Sequence, residues 1–151
     1  MSQDRIEREI VIAAPVERVW SVITEPEHVG SWFGAAGKPA EIDLRPGGTM
    51  VVDHGEYGVF PSTIVEVDPP RTFSWRWASA FPGQDVTDAN STLVEFTLRP
   101  EGDGTLLRVI ETGFDRLAGG EELQRSAWSD NEGGWREKTE DLARYLETSA
   151  A

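Results

Sequence analysis

Apolar and polar side chains alternate over residues 5–13, with Ile6, Ile10 and Ile12 on one side, the two-residue period of a strand. Ala14-Pro15 ends it, and proline suits the first turn of a helix. Val16, Val19, Trp20 and Ile23 then recur at the spacing of a short amphipathic helix. A second short helix restarts at Thr24-Glu25-Pro26 and carries Val29, Trp32 and Phe33, and residues 34–37 close it. From residue 40 the period becomes two. Strands are predicted over 40–44, 49–54, 57–67, 71–78, 92–99 and 105–114. Turn chemistry separates most of them: Arg45-Pro46-Gly47-Gly48, Gly55-Glu56, Asp68-Pro69-Pro70 and Glu101-Gly102-Asp103-Gly104. A polar loop fills 79–90, and 114–124 reads as irregular or one short helix around Ala118-Gly119-Gly120. Ser129-Asp130-Asn131-Glu132 has the form of a capping box and predicts the start of a long helix. Trp128, Trp135, Leu142, Tyr145 and Leu146 share one stripe of it, while Arg136, Glu137, Glu140, Asp141 and Arg144 face water.

The predicted order is β-α-α followed by six strands and a helix, an α+β chain. Consecutive strands joined by short turns make an antiparallel meander, and strand twist curls such a sheet. The long helix is the element large enough to cover its hollow side. With no internal repeat, low-complexity tract or linker, residues 1–151 read as a single domain whose core spans about 5–148.

Composition narrows the function. The formal net charge of −13 argues against nucleic acid and against an anionic membrane surface. The absence of Cys excludes thiol chemistry, and His28 and His54 are too few for a histidine zinc site, so neither metal nor cofactor is expected. No apolar stretch has the length of a membrane span and no apolar signal core opens the chain, so a cytoplasmic location is expected. Six Trp and six Phe imply either a heavily aromatic core or an aromatic-lined hollow.

Several stretches, taken together in order and spacing, carry a family likeness. They are Ile10-Val11-Ile12-Ala13-Ala14-Pro15, Val19-Trp20, Thr24-Glu25-Pro26, Trp32-Phe33, Leu44-Arg45-Pro46-Gly47-Gly48 and Val65-Glu66-Val67-Asp68-Pro69-Pro70. Trp75, Trp77, Thr112-Gly113-Phe114 and Gly134-Trp135 complete them. Over about residues 5 to 148 the chain resembles the homologues of the activator of the ninety-kilodalton heat-shock-protein ATPase, within the START-like helix-grip (SRPBCC) superfamily. The resemblance implies a curved antiparallel sheet wrapped around a long C-terminal helix, with a cavity between them that takes a small hydrophobic or aromatic molecule. It implies no shared catalytic set. Through the family's name it also raises a chaperone partner and a link to stress response.

Alternation assigns the cavity wall to Met50, Val52 and His54, to Phe73, Trp75 and Trp77, and to Phe96, Val109 and Glu111. Trp135 on the long helix faces them, and Trp20 and Trp32 come from the short helices. Otherwise these side chains simply fill a solid core. His54 and Glu111 are polar residues on an apolar face, so each must meet water, a ligand or another polar side chain. They either orient a ligand or serve as a general base, or else sit at a sheet edge and reach solvent. The expected function is small-molecule binding, with a polyketide cyclase or aromatase as the enzymatic alternative and a chaperone-interacting protein as a third. Other motifs fall away. Residues 34–39 lack phosphate-loop spacing, Asp85, Asp88 and Asn90 fit no calcium loop, and His28 reads as a surface residue.

Overall fold

A computed structural model describes residues 4–34 and 38–148. Residues 35–37, shared by the helix closure read at 34–37 and the rejected glycine loop at 34–39, therefore lie outside the described residues. The elements run β1 (Arg5–Ile12), α1 (Val16–Thr24), α2 (Pro26–Trp32), β2 (Glu41–Ile42), β3 (Thr49–Asp53), β4 (Val59–Asp68), β5 (Thr72–Trp77), β6 (Thr92–Glu101), β7 (Gly104–Thr112) and α3 (Gly120–Thr148). All seven strands form one curved antiparallel sheet in the order β1-β7-β6-β5-β4-β3-β2. The meander is thus continuous from β2 to β7, and β1 closes against the last strand.

α3 lies against this sheet with Trp135, Leu142 and Leu146 buried, while α1 and α2 bury Val19, Val22, Ile23, Val29 and Trp32. Polar ties fix the helix along β1: Arg8 Nε donates to Thr139 Oγ1 (3.1 Å), and Trp128 Nε1 donates to the Arg5 carbonyl (3.0 Å). A one-residue register shift interrupts β4 against β5 between Ile64 and Glu66, and Val65, between them, is exposed.

Three expectations are corrected. The strand predicted over 40–44 shrinks to two residues: the Asp43 N–H still reaches the Thr49 carbonyl, but the chain then turns at Arg45, whose carbonyl accepts from the Gly48 N–H (2.9 Å) and whose guanidinium returns to Asp43 (2.8 Å). The strand predicted from Tyr57 begins at Val59. A single helical turn over Gly55–Tyr57 intervenes, and Gly58 leaves it at φ +110°, a region closed to most side chains. Third, the long helix does not start at Ser129. It starts at Gly120, the second of two adjacent glycines, Gly119 and Gly120, with φ of +112° and +89°, and Glu121 and Glu122 occupy its first turn, where carboxylates complement the helix dipole. The supposed capping box is interior helix.

Leu142 is fully buried where α3 meets the sheet. Leu142→Ala is expected to lower the unfolding free energy by about 2–5 kcal/mol. Arg136→Ala, on the exposed side of the same helix, is expected to change it by no more than about 0.5 kcal/mol. Urea denaturation of the two variants checks both, and equal stability would mean that α3 does not grip the sheet.

Candidate functional site

Glu111 projects from β7 into the space beneath α3 and has no solvent exposure. Four side chains donate to it. Trp135 Nε1 reaches Oε1 at 2.7 Å, Trp77 Nε1 reaches Oε2 at 2.8 Å, Thr92 Oγ1 reaches Oε2 at 2.5 Å, and Asn131 Nδ2 lies 3.0 Å from Oε2 and 3.2 Å from Oε1. One carboxyl group thus ties β5, β6, β7 and α3 together. Burial pushes it above the ordinary carboxylate range, and the donors from Thr92, Trp77, Trp135 and Asn131 pull the other way. Of the fates open to a polar residue on this face, Glu111 meets polar side chains. It does not reach solvent at a sheet edge.

Above this hub an open cleft of about 1400 Å³ runs between α3 and one end of the sheet. Phe33, Phe60, Trp77 and Trp135 give it an aromatic lining, and Phe33 stacks on Trp135 with ring centroids 5.6 Å apart and planes 9° from parallel. The loop after β5 contributes Ser79, Ala80 and Pro82. Along α3 the wall is made of small or short residues, Ser126, Ala127, Asn131, Gly133 and Gly134, beside Leu123. Glu122, Asp130 and Glu137 stand exposed around it, and Lys138, which also lines it, is 3.9 Å from Asp141. The acidic margin disfavours anionic ligands.

His54 sits at the cleft wall, partly buried, with its ring edge-on to Phe33 (4.8 Å) and Phe60 (5.2 Å). Its Nε2 is buried and has no hydrogen-bond partner among the described residues. Burial first, and the Lys138 charge second, hold its pKa down to about 4, against a smaller upward pull from Asp53. The ring is therefore neutral at pH 7, an acceptor or donor but a weak base.

The wall expected along the whole inner face is thus confined to one end of it. The structure brings His54, Trp77 and Trp135 to the cleft. Met50, Val52, Phe73, Trp75, Phe96 and Val109 are buried in the core instead. Trp75 is the centre of that core, ringed by Phe73, Phe96, Phe33, Trp77 and Trp135, and its N–H finds no acceptor among the described residues. Trp32 spends its N–H on the Val22 carbonyl (3.0 Å), and half-buried Trp20 packs edge-on to Phe73. Sequence reasoning missed Phe33, Phe60, Ser79 and Asn131 as wall residues. The one readable signal was Gly133-Gly134 inside a predicted helix. His28 is partly buried and shares a 2.7 Å hydrogen bond with Tyr145, so it is not a bare surface residue. Asn90 staples its own loop, accepting from the Thr87 N–H (2.7 Å) and donating to the Asp85 carbonyl (2.9 Å).

Two outcomes are expected. Glu111→Ala strands two indole N–H groups and a hydroxyl and should cost about 3–5 kcal/mol, whereas Glu111→Gln, which keeps one acceptor, should cost about 1–3 kcal/mol, as urea denaturation will read. The second concerns pH. The unfolded chain protonates His54 near 6.5 and the folded chain only near 4, so stability from neutral His54 is present above 6.5 and lost as pH falls toward 4. The stability difference between the wild type and His54→Gln should therefore shift by about 2–3 kcal/mol between pH 7 and pH 4. Glu111 titrates with the opposite sign, gaining stability as pH falls, but it is present in both proteins and cancels in the difference.

Comparison with known proteins places this architecture. DynU16, a protein of the dynemicin biosynthetic locus, is 27% identical with a TM-score of 0.74, and the match covers 97% of this chain and 48% of DynU16. The chain thus spans about half of that protein's length. CalU16 from Micromonospora echinospora is 25% identical with a TM-score of 0.69, over 94% of this chain and 75% of that one. The Aha1 dimer from Colwellia psychrerythraea shares the fold, with a TM-score of 0.77 over 99% of this chain and 100% of that one at 16% identity. No curated protein matches the chain in sequence. Residues 13–147 match the family model described as Activator of Hsp90 ATPase homolog 1-like protein, and the chain belongs to that family.

Proposed function

We propose that this protein binds a small, flat, predominantly apolar molecule in the cleft between α3 and the sheet. One observation carries the reading. α3 passes the aromatic lining with two adjacent glycines, Gly133 and Gly134, although a Cβ at either would meet nothing within 4 Å. Glycine in a helix interior costs about 0.8–1.0 kcal/mol relative to alanine. Packing does not require these glycines, and without side chains they leave this stretch of the groove open. An apolar wall with a few polar groups is the usual form of a ligand site. The acidic margin favours an uncharged occupant over an anion. DynU16's place in a biosynthetic locus accords with a small-molecule role.

The cyclase-like reading needs acid and base groups that converge on a substrate. His54, with its pKa held near 4, is too weak a base for efficient proton transfer at neutral pH, and Glu111 is engaged by four donors. Binding is the function the geometry favours.

Titration with Nile red, an uncharged apolar dye, is expected to give saturable fluorescence enhancement. Gly134→Leu should weaken that binding at least about tenfold while the melting temperature stays at or above that of the wild type, since leucine is the better helix former. No saturable response from the wild type, or an unchanged response from Gly134→Leu, would overturn the assignment.

A further inference from the structure

The polar end of the cleft holds two side chains whose hydrogen bonding is only half used. Asn131, on α3, donates through Nδ2 to Ser79 Oγ (2.8 Å) and to the Glu111 carboxyl group (3.0 Å to Oε2). Glu111 is surrounded by donors, so the acceptor end of the Asn131 amide cannot face it. The amide is thereby oriented: both of its N–H groups are engaged and Oδ1 points elsewhere. Among the described residues, Oδ1 accepts from no group. Ser79 accepts from Asn131, and its own hydroxyl hydrogen donates to no described acceptor. Ser79 and Asn131 both line the cleft, as do Trp77 and Trp135. The cleft therefore presents one hydroxyl donor and one carbonyl acceptor, linked to each other, at the edge of an aromatic wall.

We propose that Ser79 and Asn131 are specificity-determining residues, and that the ligand is a flat aromatic molecule bearing an uncharged group with adjoining acceptor and N–H donor, of which a carboxamide is the simplest. Its carbonyl accepts from the Ser79 hydroxyl and its N–H donates to Asn131 Oδ1, while the ring lies against the indoles. An ester of the same shape can accept but has no hydrogen to give. A carboxylate has none either, and sets a negative charge against Asn131 Oδ1 and the acidic margin. The inference rests on the cleft being a ligand site, and it adds what that site reads.

The test titrates the full chain with naphthamide, methyl naphthoate and methylnaphthalene, followed by tryptophan emission. Naphthamide is expected to bind about tenfold more tightly than methylnaphthalene, with the ester between, since a net hydrogen bond contributes a factor of roughly 2–13. Ser79→Ala should bring naphthamide down to the level of the ester and leave methylnaphthalene unchanged. Asn131→Ala should do the same, with Ser79→Ala as the variant that leaves all donors to Glu111 in place. Naphthamide no tighter than methylnaphthalene, or a preference that survives both substitutions, overturns the inference and leaves the cleft assignment standing. Failure of methylnaphthalene itself to bind the wild type overturns both.

Discussion

The rest of the structure depends on the hydrogen bonding of one buried carboxyl group. Glu111 is placed where an isolated charge would be costly, and desolvation does push its carboxyl up. What makes the position tenable is that β5, β6 and α3 each aim a donor at it: Trp77, Thr92, and Trp135 with Asn131. The dependence is mutual. Leaving the N–H groups of two buried indoles unpaired is costly, and one carboxyl group serves both. Remove the acceptor and the donors become the unpaired groups.

This arrangement also shapes the cleft. An indole whose N–H is committed to Glu111 has its ring orientation set, so Trp77 and Trp135 line the cleft in a defined pose. Phe33, arriving from the end of α2, stacks on Trp135 and tilts against Trp77, and His54 closes the ring of contacts from β3's end. The polar hub and the apolar lining are thus two sides of the same residues. Asn131 is the junction, because its amide bonds inward to Glu111 and sideways to Ser79.

α3 shows the tension between stability and an open site. Its sheet-facing stripe, Trp135, Thr139, Leu142 and Leu146, packs as a grip should, and Thr139 returns its hydroxyl to the Trp135 carbonyl (2.7 Å). Its cleft-facing stripe is short side chains and a glycine pair, which contribute little packing and lower helix propensity. Tertiary burial on the first stripe offsets the weakness of the second. Most helical stability in proteins comes from such a face rather than from propensity.

Much of the fold was legible along the chain. The change of period near residue 40, the turns at 45–48 and 101–104 and the stripe through Trp135 and Leu142 are local signals, and local geometry sets them. The start of α3 was misread because Ser129-Asp130-Asn131-Glu132 meets the local capping rule. Only the three-dimensional placement shows Asn131 turned to Glu111 and the true break at Gly119-Gly120. The candidate site was less legible. Alternation shows which side chains share a face, but not how deeply the neighbouring layer covers each one. Trp75 and Trp77 sit two residues apart on the same face of β5, yet Trp75 is sealed in the core and Trp77 lines the cleft. Sequence alone determined that Glu111, a polar residue on an apolar face, would be costly to bury unless it met water, a ligand or another polar side chain. Which partners, two indoles, a hydroxyl and an amide from 19 to 34 residues away, was decided by sheet register and helix docking alone.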